Sequence, residues 1–105
     1  MKNIKRKKIN RKPSLPGEVL NELFLIPNGT TQIEFARGLS ELTNGKIKVS
    51  TMKTKLSEVV KGKRAISAEF ALLISELLGT NPKMWLNLQS SLDLWEARNN
   101  LGLAS

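Results

Sequence analysis

The sequence contains no cysteine and no histidine. Without cysteine there are no disulfides, no zinc–thiolate sites and no thiol chemistry, a composition that fits a cytoplasmic protein. Without histidine the commonest general base and the commonest metal ligand are missing as well. A Ser-His-Asp or Cys-His arrangement is impossible, and so is an ordinary zinc site. Serines and carboxylates remain, but no carboxylate pair stands in a setting that would raise a pKa. Catalysis is therefore the last function to expect; the chain is read as non-enzymatic, with no cofactor and no metal. Long apolar runs are absent too. None approaches the roughly 18 residues that cross a bilayer, and no apolar segment follows the charged N-terminus as a secretory signal requires. The expectation is a cytoplasmic protein with no membrane partner.

What is present is positive charge, unevenly placed. The 105 residues suffice for one domain and carry a net charge of +8. Residues 1–13 hold seven lysines and arginines and no acid. Residues 45–64 hold six lysines and Arg64 against Glu58 alone. The segments 14–44 and 65–105 are slightly acidic. Two cationic blocks on such a body are the footprint of a polyanionic partner. Residues 1–13 have too few apolar groups to order themselves and are read as a flexible basic arm before a domain over 14–105. The alternative for the arm alone is a solubilising tail, or one for RNA or a membrane surface.

Hydrophobic spacing predicts five helices and no convincing set of strands. The first begins at Pro16, presents Val19, Leu20, Leu23 and Phe24 on one face, and stops at Pro27. In the second, Thr31-Gln32-Ile33-Glu34 matches a capping box, with Phe35, Ala36, Leu39 and Leu42 inward and a stop at Asn44-Gly45. A competing reading makes Asn44-Gly45 a hairpin turn, because Lys46 to Val49 alternates polar and apolar. The third helix starts after Ser50 or Thr51 as cap, carries Val49, Met52, Leu56, Val59 and Val60 inward, and ends at Gly62. The fourth, capped by Ser67, runs to Leu78 with Phe70, Leu73, Ile74 and Leu77 inward. Asn81-Pro82 opens the fifth.

The third helix concentrates the chemistry. Lys53, Thr54, Lys55 and Ser57 point outward, and Lys61, Lys63 and Arg64 follow at its end. Short polar and basic side chains on a helix behind a separately capped helix are what reading base edges in the major groove requires. The flanking cations suit phosphates. So does the start of the second helix at Thr31 and Gln32, where backbone N–H groups stand free. The plain alternative is a solvated, lysine-rich helix without a partner. On the fifth helix Trp85, Leu88, Leu92 and Trp95 form a stripe suited to a dimer interface. The alternative is that both tryptophans fill the core.

Three segments resemble a known family. Leu15-Pro16-Gly17-Glu18-Val19-Leu20 is similar to the start of the HigA/VapI-type antitoxins of toxin–antitoxin systems. Gly62-Lys63-Arg64-Ala65-Ile66-Ser67 resembles their Gly-Lys-Arg step. Leu78-Gly79-Thr80-Asn81-Pro82-Lys83-Met84-Trp85-Leu86-Asn87-Leu88-Gln89, followed by Asp93-Leu94-Trp95, resembles their most specific stretch. The resemblance spans about residues 15–97. It implies an all-α, five-helix, lambda-repressor-like (Cro/C1-type) DNA-binding domain. It implies a cytoplasmic homodimer that binds operator DNA of its own operon, represses it, and neutralises a HigB/RelE-type mRNA-cleaving toxin.

The sequence departs from that pattern inside the helix-turn-helix. Ser40 to Lys48 stand where the family has a tight turn, an insertion that lengthens the second helix, the turn, or both. Lys46 and Lys48 on it are candidates for further phosphate contacts. Three other functions stay open: a repressor without a toxin, a toxin-binding scaffold whose DNA binding the insertion weakens, and an RNA-binding protein using the basic arm.

Overall fold

The computed structural model describes residues 11–103. Residues 1–10 of the expected arm, and residues 104–105, lie outside them. Five helices follow one another in a single order. Helix α1 spans Pro16–Val19 and continues without a break as a π-helical segment, Leu20–Leu25. After it come α2 (Gln32–Leu42), α3 (Val49–Val60), α4 (Ala68–Leu78) and α5 (Pro82–Leu101). No strand occurs among the described residues, so the hairpin alternative at Asn44-Gly45 is not realised.

The core gathers one face of every helix. Leu20, Leu25, Ala36, Leu39, Met52, Leu56, Ala71, Ile74 and Trp85 are all but sealed from solvent. Leu25 belongs to this core and Leu23 does not: Leu23 is 66% exposed. The cause is the π-helical turn. Ile26 N–H donates to the Asn21 carbonyl and Thr30 N–H to that of Leu25, each at 2.9 Å and each five residues back. The wider turn brings Leu20 and Leu25 to the same face, where an α-helical period would have brought Leu23.

Gly17 is the second device at this end. It is buried, and a Cβ there would sit in the Val59 carbonyl. The missing side chain is what lets α1 lie directly on the backbone of α3. Pro16 supplies the first helical position, and Glu18 reaches back to the Leu15 N–H.

Two inward assignments shift at helix ends. Leu42, in the last turn of α2, and Leu77 in α4 are both exposed, while Ser40, Ala71 and Ser75 are buried. Leu77 instead lies over Gly38, the position on α2 that leaves it room. The buried hydroxyls are bonded. Ser40 donates to the Ile47 carbonyl at 2.6 Å. Ser75 accepts from the Thr80 hydroxyl at 3.1 Å, and Thr80 in turn accepts the indole N–H of Trp85 at 2.9 Å. That chain explains why the tryptophan is buried without a stranded polar atom. Phe24 tilts against its ring, 5.6 Å between centroids.

The segment from Ser40 to Lys48 is divided: Ser40 to Leu42 complete α2, and residues 43–48 form the turn before α3. Asn44 and Gly45 both have positive φ, 56° and 77°, which ends α2 after Leu42. The Thr43 hydroxyl donates to the Ser40 carbonyl at 2.7 Å and accepts from Ile47 N–H at 3.1 Å. With the Ser40–Ile47 bond, these ties hold residues 43–48 in one ordered turn.

Candidate nucleic-acid interface

Helix α3 begins earlier than its serine and threonine suggest. Lys48 is the N-cap, and Met52 N–H bonds its carbonyl at 2.9 Å. Ser50 and Thr51 are therefore first-turn residues and not caps, although they are the better capping types. Burying Val49 and Met52 together decides the register, and the hydrophobic term outweighs a cap worth about 1 kcal/mol. Ser50, read from the sequence only as a possible cap, thereby becomes a candidate for contact.

The outward face of α3 and the start of α2 border one open groove. Ser50, Lys53, Thr54, Ser57 and Lys61 line it from α3, and Ile33 lines it from α2. Glu58 and Lys63 line it as well. Thr54 is exposed and donates its hydroxyl hydrogen to the Ser50 carbonyl at 3.1 Å, which leaves its oxygen able to accept. Such a group can accept from a base amino group or touch a thymine methyl.

Lys55 is not part of this face. It is half-buried and lines the crevice between α3 and α4 with Met52, Phe70 and Arg64. Its place in the helical period, next to the buried stripe, carries it round the helix away from Thr54. It leaves the group of base-edge candidates. Arg64 is exposed and bonded to Glu58 through Nε at 2.7 Å. Lys46 and Lys48 are exposed on the inserted turn, at the start of α3.

At the start of α2 the capping box is formed. Thr31 Oγ1 accepts from Glu34 N–H at 3.2 Å, and the Glu34 carboxylate accepts from Thr31 N–H at 2.8 Å. The backbone bond from Thr31, then its side-chain bond and the nearby Arg37, hold the Glu34 carboxyl below its ordinary range. Thr31 is exposed and Gln32, the first helical residue, half-buried.

The stripe on α5 divides. Trp85 is fully buried and Leu92 nearly so. Both belong to the chain's own core and have no surface for a second copy, so they leave the expected interface. Leu88 is half-buried and packs against the core. Trp95 is half-buried, and its indole N–H is shielded from solvent without an acceptor among the described residues. Lys12 places its ammonium 5.8 Å from the centre of that ring, so the inner end of the basic arm lies on α5. Leu94 and Leu101 are exposed on the same helix.

Among the described residues no helix is long and apolar enough to cross a membrane, and no group of three His, Cys, Asp or Glu could hold a metal ion.

No protein-family model matches the chain. Over 92 residues it is 32% identical to an uncharacterised HTH-type transcriptional regulator of Haemophilus influenzae, covering 88% of this chain and 77% of that one. Over 93 residues it is 31% identical to antitoxin HigA-1 of Vibrio cholerae, covering 89% and 78%. Among solved structures, a Pseudomonas aeruginosa antitoxin HigA with the higBA promoter superposes with a TM-score of 0.71 at 30% identity. The match covers 87% of this chain and 88% of that one.

Proposed function

The chain belongs to the family of HigA/VapI-type helix-turn-helix antitoxins, and on that footing we propose that it binds the operator of its own operon, represses it, and neutralises a HigB/RelE-type toxin. It acts by binding and performs no reaction. It works in the cytoplasm, as a homodimer whose two copies of α3 meet successive half-sites. The observation that carries the DNA reading is the unobstructed outward face of α3, where Ser50, Lys53, Thr54, Ser57 and Lys61 stand along one groove with the start of α2.

In this reading the parts divide by reach. Ser50, Thr54 and Ser57 are short and read base edges once α3 is seated; Lys53 is long enough for a base or a phosphate. Lys61, Lys63 and Arg64 neutralise phosphates at one end of the helix, and Lys46 and Lys48 at the other. Thr31 offers its hydroxyl, and Gln32 its side-chain amide and backbone N–H, to a phosphate at the start of α2, the Thr31 N–H being held by Glu34. The inserted turn supports DNA contact, because its ties to Ser40 keep it ordered and its lysines add charge of the right sign.

The test is a gel shift with a salt titration on the DNA upstream of the gene, with random duplex as competitor. Tight, competitor-resistant binding is expected. Equal and weak binding to both DNAs would reduce the basic blocks to undirected charge. A pull-down with the product of the neighbouring gene, scored by protection of mRNA from cleavage, tests the toxin arm.

A further inference from the structure

Glu58 is the one acid between residues 45 and 64, among six lysines and Arg64. It borders the α3 groove beside Thr54 and Lys61. A carboxylate there repels phosphates and weakens binding, unless it serves the contact in another way. The segment after α3 engages it twice. Its main-chain carbonyl accepts the N–H of Lys63 at 2.8 Å, and its carboxylate accepts the Nε–H of Arg64 at 2.7 Å. Gly62, at φ 77°, supplies the reversal that brings both residues back over the helix. Glu58 is thus the post to which Gly62-Lys63-Arg64 is tied.

The edge of the guanidinium that is used decides what remains. Nε is taken by Glu58, which leaves the two terminal amino groups, side by side, as an end-on fork. That fork matches two oxygens of one phosphate. Both side chains are partly exposed, 46% for Arg64 and 39% for Glu58, so the fork is reachable. An arginine held in advance loses less freedom when it binds than one that searches from many rotamers.

We propose that Glu58 is a positioning residue for DNA binding: it orients Arg64, which stands beside the groove on the α3–α4 crevice, so that its end-on fork clamps a backbone phosphate flanking the groove. The clamp fixes the register in which α3 lies, as phosphate contacts do. The inference rests on reading α3 as the groove helix.

The experiment is a double-mutant cycle on the purified protein, with affinity for upstream and random duplex measured over a salt series. Wild-type preference for the upstream DNA is established first; its absence would sink the underlying reading before any variant is compared. Glu58→Ala is expected to weaken upstream binding about three- to five-fold. In an Arg64→Ala background the same change removes only a repulsive charge and leaves binding equal or tighter. Glu58→Gln keeps an acceptor for Nε–H and restores part of the loss. Tightening by the same factor with and without Arg64 would overturn the proposal and leave Glu58 a mere opposing charge. Arg64→Lys gives a readout independent of Glu58 substitutions: lysine has the charge without the fork, so upstream binding should fall, and unchanged binding would overturn the clamp.

Discussion

The N–H of Ile66 donates to the side-chain oxygen of Gln89, 23 residues further along the chain, at 2.9 Å. The other end of the same amide donates to Asp93 at 3.0 Å. The turn that carries Lys63 and Arg64 is thereby fastened to α5, as it is fastened to α3 through Glu58. Gln89→Ala would leave a part-buried N–H without its partner, at a cost of about 1–2 kcal/mol. A fall of several degrees in the thermal midpoint is expected, with weaker binding to upstream DNA. Gln89→Glu should do worse than a conservative change ordinarily does, because it sets a second carboxylate against Asp93.

Gly17→Ala tests the close approach of α1 to α3. The added methyl meets the Val59 carbonyl and the Val60 backbone, neither of which can turn aside as a side chain can. A loss of about 2–3 kcal/mol is expected, read as a lower urea midpoint at unchanged slope. Full stability in this variant would show that α1 can be displaced freely.

DNA variants should separate into two classes. Thr54→Ala or Ser50→Ala should cost about 1–3 kcal/mol on upstream DNA and little on random duplex. Lys61→Ala or Lys63→Ala should weaken both and lower the salt slope by about one for each phosphate that is no longer neutralised. Lys55→Ala, turned toward α4, should leave the preference for upstream DNA intact. Identical behaviour of all five would remove α3 from the interface.

Acid should loosen the start of α2. The Glu34 carboxyl is held below its ordinary value of 4.5 by the capping box. Its contribution to stability is complete above that value and fades as pH falls through the lower folded pKa. Comparing urea midpoints of the wild type and Glu34→Gln from pH 6 downward isolates it. The difference between the two should shrink as acidity rises, and a constant difference would mean the carboxylate charge contributes nothing.

Trp95→Ala should loosen the homodimer proposed above. Trp95 is half-buried, and Leu94 and Leu101 are exposed on the same helix. Light scattering across a dilution series is expected to show the variant dissociating at a higher concentration than the wild type. An unchanged mass at every concentration would place the dimer contact elsewhere. Trp85→Ala, by contrast, should unfold the domain, since that ring lies wholly inside it.

Much of this architecture was legible in the residues alone. Capping chemistry is local: Thr31 with Glu34, Ser67, Asn81 with Pro82, and Gly79 at the end of α4 all act where their types predict. Side chains that bond their own backbone within three or four residues need nothing from the rest of the fold. The same holds for the cationic character of residues 45–64 and for the exclusion of histidine and cysteine chemistry. Those follow from composition, and no packing alters them.

Only the tertiary structure decided the rest, wherever two local rules competed. Ser50 and Thr51 could each cap a helix, but burying Val49 and Met52 started α3 at Val49, with Lys48 as its cap, and brought Ser50 onto the groove face. Leu23 fitted an α-helical stripe, but the π-helical turn put Leu25 into the core in its place. Trp85 and Trp95 share one helix and one spacing, yet one is interior and the other lies at the surface under Lys12. The pairing of Glu58 with Arg64 is invisible in the sequence, because it depends on the chain turning back at Gly62. Periodicity says which residues share a face; what that face meets is set by helices far away in the chain, and contact free energies there exceed the preference of any single residue.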